Sequence, residues 1–291
     1  MRTAENFSIV CGTAACNADC PFCVSKMTGL SEIGHQPQPV NWRNFDKAAQ
    51  IAKDYCVDSV VITGKGEPTL FPNQITDYLT HLQKHNFPLI DLQTNGLLLD
   101  NQQERFDPYL RRWYDLGLSF VSISIVHYLP DVNRSVYTPT SEYIDLPCLV
   151  NRLHQIGFSV RFSVTLFLGG IDDARKTKKI IDFAKNLNVE QLTLRRIAKS
   201  AITENLQIGA WTASHLLPDS NHEKIRQFLE KNGRRLLLSG HNSIIYDVAG
   251  QNVCLTNALT LNPDPAQIRQ VIFFPNGRIR FDWQSPGATL L

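Results

Sequence analysis

The sequence predicts an α/β fold built on a parallel sheet. From the start of the chain to about residue 200, short apolar runs alternate with segments whose apolar residues recur at the helical period. Six such strand–helix repeats indicate parallel strands joined by helical crossovers. Most of the predicted strands are apolar on both faces, as is typical of a parallel sheet covered by helices. This pattern alone is compatible with an open six-stranded sheet and with a partial barrel.

The individual elements follow from local composition. Predicted strands are short and rich in β-branched residues, predicted helices are amphipathic, and Gly157 is placed to end one of the helices. The predicted strands are Phe7–Cys11, Ser59–Thr63, Leu89–Gln93, Phe120–Val126, Ser159–Leu168 and Gln191–Ile197. The predicted helices are Trp42–Tyr55, Asn73–His85, Tyr109–Leu116, Leu146–Ile156 and Ala174–Leu187.

The pattern changes after residue 200, so we divide the chain into a core over residues 1–200 and an extension over residues 201–291. The extension is too small for an independent domain, and we expect it to pack on the core and close the barrel. Its turn signal is Pro275-Asn276-Gly277, which predicts a hairpin. The elements predicted in the extension are a helix over Asn221–Lys231 and strands over Leu236–Ser239, Ser243–Val248, Asn252–Thr256, Val271–Phe274 and Arg278–Trp283.

Composition and charge exclude several classes of protein. The chain has 291 residues, of which 43% are hydrophobic and 19% charged, and this fits a globular protein with a sizeable core. Its net charge of +2 indicates no strong preference for polyanions. No apolar stretch approaches the ~18 residues that span a bilayer, and the first residues lack a signal-peptide pattern. We therefore expect a cytoplasmic protein without a membrane partner, in a compartment that keeps thiols reduced.

Three of the seven cysteines lie close together. Cys16, Cys20 and Cys23 follow the first predicted strand in the sequence CNADCPFC, with the spacing C-x3-C-x2-C. Three thiolates at these intervals can surround one iron–sulfur cluster and leave its fourth iron without a protein ligand. Structural zinc is the competitor, but it prefers four ligands, usually in two separated pairs. A disulfide framework is less favoured, because three clustered thiols cannot all pair with one another.

At this point the sequence resembles a known family, the radical S-adenosylmethionine (SAM) enzymes. CNADCPFC is similar to the cluster motif of these enzymes, and three further segments follow in the family's order. GKGEP at residues 64–68 resembles the family's Gly-Gly-Glu-Pro loop, with Lys65 in place of the first glycine. LQTNG at residues 92–96 and VSIS at residues 121–124 resemble the ends of its third and fourth strands. The resemblance covers roughly residues 7 to 200.

The resemblance favours a partial (β/α)6 barrel of the radical SAM type with a C-terminal α+β extension. In such barrels the chemistry lies at the carboxyl ends of the strands, where all four motifs fall. The resemblance implies a [4Fe-4S] cluster held by Cys16, Cys20 and Cys23. It also implies SAM bound at the free iron. The residues we expect to bind SAM are Gly66, Glu67, Asn95, Ser122, Ser124, Ser163 and Arg195.

These SAM contacts rest on chemical complementarity. Backbone carbonyls near Gly66 and the side chain of Glu67 can accept hydrogen bonds from the SAM ammonium group. Many relatives place an acidic residue where Ser124 stands, and a serine binds ribose hydroxyls less strongly than a carboxylate does. Arg195 and Arg196 point to opposite faces of the sixth strand, and we favour Arg195 as the partner of the SAM carboxylate.

The predicted function is therefore oxygen-sensitive radical chemistry: reductive cleavage of SAM, followed by hydrogen abstraction from a substrate. The implied partners are that substrate and an external one-electron donor of the flavodoxin or ferredoxin kind. Charge balance and the short extension favour a small molecule or a nucleotide as substrate, and no residue is assigned a catalytic role beyond cofactor binding. The alternatives are an iron–sulfur electron carrier and a zinc-binding nucleic-acid protein. A nucleic-acid partner stays open, although nothing in the sequence indicates one.

Overall fold

The computed structural model describes residues 4–27, 33–200, 203–238, 243–257, 268–285 and 287–291. These residues form one continuous sheet and a set of helices that pack against it. The strands are β1 (Asn6–Val10), β2 (Ser59–Thr63), β3 (Leu89–Thr94), β4 (Phe120–Ile125), β5 (Ser159–Leu166), β6 (Gln191–Arg196), β7 (Arg234–Leu238), β8 (Ile244–Val248), β9 (Gln251–Asn257), β10 (Gln270–Phe273) and β11 (Ile279–Arg280).

Most helices lie in the connections between the strands, and several begin at a side-chain cap. Asn41, Asp145 and Asp173 each accept a hydrogen bond from a backbone amide three residues later, which satisfies one free donor of the first turn. The helices are α1 (Val24–Met27), α2 (Trp42–Asp54), α3 (Pro72–Leu82), α4 (Leu97–Asn101), α5 (Gln103–Asp115), α6 (Pro130–Tyr137), α7 (Leu146–Ile156), α8 (Ala174–Asn186), α9 (Leu206–Ser214) and α10 (Asp219–Asn232).

The sheet has the order β11-β10-β1-β2-β3-β4-β5-β6-β9-β8-β7. The six strands predicted from the sequence are neighbours in it and run parallel, which confirms the predicted α/β class. The extension adds β9 beside β6 and β10 beside β1, both parallel to the core strands. The expectation that the extension closes the barrel was wrong, because β7 and β11 are edge strands and leave the sheet open.

Each core strand has one apolar face and one polar face, which corrects the expectation of strands that are apolar on both faces. In β5, for example, Val160, Phe162 and Val164 are fully buried in the main hydrophobic core, where helices cover the sheet. The alternate residues Ser163 and Thr165 line the interior cavity of the sheet. Side chains alternate between faces along a strand, so this pattern gives the partial barrel a polar interior.

The connections between the strands contain more helices than the sequence predicted. The helices α4, α6 and α9 lie in segments that were not predicted to be helical, and α5 begins six residues before the predicted Tyr109. Pro108 lies inside α5, where a proline lowers helix propensity and weakens the sequence signal. The predicted hairpin at Pro275-Asn276-Gly277 is confirmed by antiparallel pairing of β10 with β11. The predicted strand Leu236–Ser239 extends one residue beyond the described part of the chain.

Among the described helices, none combines the length and the hydropathy that crossing a bilayer requires.

Candidate functional site

A cavity of about 400 Å³ opens at the carboxyl ends of the core strands and continues into the polar interior of the sheet. Its wall includes the loop after β1, the loop after β2, the ends of β3 to β6, and residues of the extension. Nine of the ten residues predicted from the sequence line it: Cys16, Cys20, Cys23, Gly66, Glu67, Asn95, Ser124, Ser163 and Arg195. The structure therefore brings together residues that are up to 179 positions apart in the chain.

The three clustered cysteines are free thiols on one side of this cavity. Cys16 is exposed, whereas Cys20 and Cys23 are partly buried. The loop ends in α1, because the amide of Met27 donates a hydrogen bond of 3.2 Å to the carbonyl of Cys23. The ring of Phe22, between Cys20 and Cys23, packs at centroid distances of about 6 Å against Tyr137, Phe167 and Trp211.

The electrostatics of these thiols fit a cationic cofactor. Burial, and then the neighbouring Cys23 and Cys16, raise the pKa of the Cys20 thiol. Three thiolates at this place would repel one another, and bound metal cations would allow all three to lose their protons. Within the described ranges, no three His, Cys, Asp or Glu side chains form a group that could hold a metal ion. Three cysteine thiols are a ligand set that suits an iron–sulfur cluster with one iron left open, whereas a structural zinc would need a fourth ligand.

Gly66 lets the loop after β2 approach the cysteine loop. A Cβ atom on Gly66 would lie 1.9 Å from the carbonyl oxygen of Ala15, a distance that no side chain tolerates. The next residue secures the contact, because the amide of Glu67 donates a hydrogen bond of 2.9 Å to that same carbonyl. Only glycine allows this approach, so the residue immediately before Cys16 is held against the loop at residues 64–68.

The carboxylate of Glu67 is buried, and both of its oxygens accept hydrogen bonds from other groups of the protein. One oxygen accepts hydrogen bonds from the amide of Thr69 at 3.0 Å and from the hydroxyls of Thr69 and Thr94 at 2.6 Å each. The other oxygen accepts a hydrogen bond from the amide of Asn95 at 2.9 Å. Burial raises the pKa of Glu67, and these hydrogen bonds oppose the shift. Glu67 therefore ties the loop after β2 to the end of β3.

Asn95 connects the same strand end to the cysteine loop. Its side-chain amide donates a hydrogen bond of 2.7 Å to the side-chain oxygen of Asn17, and the same nitrogen lies 3.9 Å from the sulfur of Cys16. Its side-chain oxygen accepts a hydrogen bond of 3.0 Å from the amide of Leu97, where α4 begins. Both ends of the Asn95 side-chain amide are thus fixed by hydrogen bonds. Its nitrogen is also a hydrogen-bond donor near the sulfur of Cys16.

The two serines of β4 differ in their surroundings. Ser124 lines the cavity opposite Ser163, its partner in register on β5. The hydroxyl of Ser122 is buried deeper and donates a hydrogen bond of 2.9 Å to Asp91. Ser122 is also the one predicted residue that is not part of the cavity wall, so the structure favours Ser124 and Ser163 over Ser122 as ligand contacts.

The two arginines of β6 point to opposite faces, as the alternation of the strand requires. Arg195 lines the cavity. Arg196 lies on the other face, where its guanidinium donates to the carbonyl of Leu217 at 2.6 Å and pairs with Asp219 at 2.7 Å. Arg195, which the sequence favoured as the partner of the SAM carboxylate, is thus the arginine of β6 on the cavity side of the sheet.

Several cavity residues were not among the predicted SAM contacts, namely Lys65 of the loop at residues 64–68 and a group of residues from the extension. Lys65 is 7% exposed, and its ammonium nitrogen lies 5.7 Å from the ring centroid of Trp283 in the extension. Burial, and then the charge of Arg280, lower the pKa of Lys65 to about 8. No local pattern singles out the contributing residues of the extension, because only sheet order brings them near the core. They are Asn257, Arg269, Gln270, Asp282, Trp283 and Gln284.

Comparison with known proteins identifies the family. The family model of the radical SAM superfamily matches residues 10–184. The chain belongs to the radical SAM superfamily. Membership in this superfamily supports an enzyme that performs radical chemistry with SAM and an iron–sulfur cluster. No curated protein sequence matches the chain significantly.

Solved radical SAM structures share the fold at low sequence identity. SuiB of Streptococcus suis, bound to its precursor peptide SuiA, matches with a TM-score of 0.60 and 12% identity over 96% of this chain and 59% of SuiB. A radical SAM methyltransferase from Sphaerobacter thermophilus matches with a TM-score of 0.57 and 16% identity, over 86% of this chain and 66% of that protein. Methylornithine synthase PylB matches with a TM-score of 0.55 and 14% identity, over 90% of this chain and 74% of that protein.

These likenesses have clear limits. The chain spans less than two thirds of the length of SuiB, and at 12–16% identity the similarity concerns the fold. Another structure of SuiB was solved with SAM bound, at a TM-score of 0.60.

Proposed function

We propose that this protein is an enzyme in which Cys16, Cys20 and Cys23 hold a [4Fe-4S] cluster beside bound SAM. When bound, the cluster and SAM would supply reductive SAM cleavage and hydrogen abstraction from a substrate in the polar interior of the sheet. The observation that carries this proposal is the single cavity that joins the three thiols to the loop at residues 64–68 and to the polar interior. The protein's own contribution is to position ligands and to exclude water.

The proposed SAM contacts are the cavity residues at the strand ends: Gly66, Glu67, Asn95, Ser124 and Ser163. Since both oxygens of Glu67 already accept hydrogen bonds from the protein, its main role in this proposal is to hold the loop of Gly66 in place. Backbone carbonyls of that loop then remain as acceptors for an ammonium group. Ser124 and Ser163 supply hydroxyl groups suited to a ribose.

An external one-electron donor is part of the proposal. Cys16 is exposed and lines the cavity, while Phe22 and the rings around it cover another side of the cysteine loop. The donor would supply one electron to the cluster, and the substrate would occupy the interior of the sheet. A cavity of about 400 Å³ fits ligands of small-molecule or nucleotide size.

The decisive experiment is anaerobic reconstitution with iron and sulfide, followed by metal analysis and incubation with SAM and dithionite. About four irons per chain, together with release of 5′-deoxyadenosine and methionine, are expected. A reconstituted cluster that never cleaves SAM would instead indicate an electron carrier. Zinc bound at the three cysteines, with no iron incorporated, would contradict the proposal.

A further inference from the structure

The polar interior of the sheet contains three arginines on neighbouring elements. Arg161 lies on β5, Arg195 lies on β6, and Arg269 directly precedes β10. Arg195 and Arg269 both line the cavity. The charges of Arg269 and Arg161 both act on Arg195, so the three guanidinium groups share one region of the interior.

Two of these arginines have carboxylate partners. Arg161 pairs with Asp91 at 2.7 Å, and Asp91 also accepts the hydrogen bond from Ser122. Arg269 pairs with Glu5 at 3.3 Å. Because each pair is at least partly buried, its opposite charges offset one another within the interior.

Arg195 is the third cation, and within the described part of the chain its guanidinium forms no hydrogen bond or ion pair. Burial lowers the pKa of Arg195, and the charges of Arg269 and Arg161 lower it further. An arginine keeps its charge under such conditions. Of these three arginines, Arg195 is therefore the one without a carboxylate partner among the described residues, and it lines the cavity.

We infer that Arg195 binds an anionic group of the substrate, a carboxylate or a phosphate, inside the barrel. This inference rests on the proposed function, since it takes the cavity to be the site of a substrate. The planar guanidinium binds either group through two parallel charge-assisted hydrogen bonds. A neutral substrate that fills the cavity would take water from this cation and give it no partner, which costs free energy.

The SAM carboxylate is the other anion that Arg195 could bind. The cysteines follow β1, and four strands separate β1 from β6 in the sheet order. Arg195 is the fifth of the six residues of β6 and is in register with Thr165 of β5. The four intervening strands separate it from the loop that carries the cysteines, and this separation favours the substrate.

The test is an anion titration of the reconstituted protein saturated with SAM, at constant ionic strength. The probes are inorganic phosphate and succinate, with chloride as the reference salt and calorimetry as the readout. We expect at least one probe to bind the unmodified protein. Arg195→Gln should weaken that binding about tenfold, because a charge-assisted hydrogen bond is lost. Arg111→Gln, a change at an exposed arginine of α5, should leave binding unchanged.

A second variant changes the affinity in the opposite direction. Asp91→Asn keeps an acceptor for Ser122 but removes the charge that offsets Arg161, so it should tighten binding of the same probe. Stronger binding in one variant and weaker binding in the other cannot arise from a general loss of folding. Whether phosphate or succinate binds more tightly then separates a phosphate-bearing substrate from a carboxylate.

The outcomes that overturn the inference are equally specific. If neither probe binds, or if Arg195→Gln binds the probe like the unmodified protein, Arg195 holds no substrate anion. If neither probe binds and Arg195→Gln lowers SAM affinity about tenfold, the arginine belongs to SAM instead. The same titrations can be run without SAM, so a protein that fails to cleave SAM would still report whether Arg195 binds an anion.

Discussion

Glu67 and Thr94 join the ends of two neighbouring strands through a buried hydrogen bond of 2.6 Å. The Thr94 hydroxyl also accepts a hydrogen bond of 3.0 Å from the amide of Gly96. One hydroxyl thus fixes both the carboxylate of the loop after β2 and the turn after β3. These two segments form adjacent parts of the cavity wall, so their relative position depends on buried polar groups.

Removing this hydroxyl should loosen the site. Thr94→Val keeps the shape of the side chain but takes one donor from the buried Glu67 carboxylate. We expect the free energy of unfolding to fall by about 2 kcal/mol, as for other hydrogen bonds to charged groups, and SAM affinity to fall with it. Urea unfolding and equilibrium dialysis measure the two effects. Thr80→Val, at an exposed position of α3, is the control, and equal losses in both variants would contradict this role for Thr94.

The contact between Gly66 and Ala15 predicts a defect in cluster loading. Gly66→Ala would place a Cβ atom 1.9 Å from the Ala15 carbonyl, so the cysteine loop has to move. We expect several-fold less iron per chain after reconstitution, with an unchanged far-ultraviolet circular dichroism spectrum. Gly287→Ala is the matched control, because a Cβ atom there meets nothing within 4 Å. Normal iron content in Gly66→Ala would show that the close approach is dispensable.

Lys65 should titrate well below an ordinary lysine. Burial and Arg280 lower its pKa from 10.5 to about 8, so the folded protein binds this proton more weakly than the unfolded chain does. The stability that depends on Lys65 should therefore rise with pH between about 8 and 10.5, and level off above that range. NMR of reductively ¹³C-methylated protein, with Lys65→Arg to assign the signal, measures the pKa directly.

The indole of Trp283 tests the cause of that shift. Trp283→Ala removes a ring that lies beside the Lys65 ammonium and lets water reach it. Better solvation favours the charged form, so the pKa of Lys65 should rise toward its usual value. If the pKa of Lys65 stays near 8 in this variant, the charge of Arg280 and not burial beneath Trp283 is responsible.

Cys20→Ala should abolish cluster loading. Cys20 lies between the other two thiols in sequence, and both act on its pKa. Iron and sulfide content should fall to background, and no 5′-deoxyadenosine should form from SAM. Cys148→Ala, at an exposed thiol of α7, should retain both. A Cys20→Ala protein with normal iron and normal product would remove this residue from the cluster site.

The strands and the cysteine motif could be predicted from the sequence, because each depends on a short run of consecutive residues. Six short β-branched runs predicted six parallel strands, and all six are present within a residue or two of the predicted ends. The C-x3-C-x2-C spacing needs only eight consecutive residues. The helices α4 and α6 escaped prediction, because α4 has five residues and α6 has eight, too few to show a clear helical period.

The hydrogen-bond partners of individual polar residues could not be predicted from the sequence as well as the strands. Sequence spacing placed Ser122 and Ser124 on one face of β4, which is correct. The hydroxyl of Ser122, however, donates its hydrogen bond to Asp91 of the neighbouring strand. The sequence predicts that Glu67 faces a ligand. In the structure its oxygens accept hydrogen bonds from the hydroxyls of Thr69 and Thr94 and from the amide of Asn95. Such pairings depend on the register between strands, which no single segment reveals.

The chain's local patterns were sufficient for the α/β class, the six core strands and the cluster of thiols, since each depends on residues close together in sequence. Tertiary structure alone decided that the sheet remains open, that its interior is polar, and that Arg269 and Trp283 from the extension reach a cavity built by the core. Contacts over such separations follow from strand order and side-chain direction, which emerge only when the whole sheet is assembled. The same assembly leaves Arg195 without a carboxylate partner among the described residues.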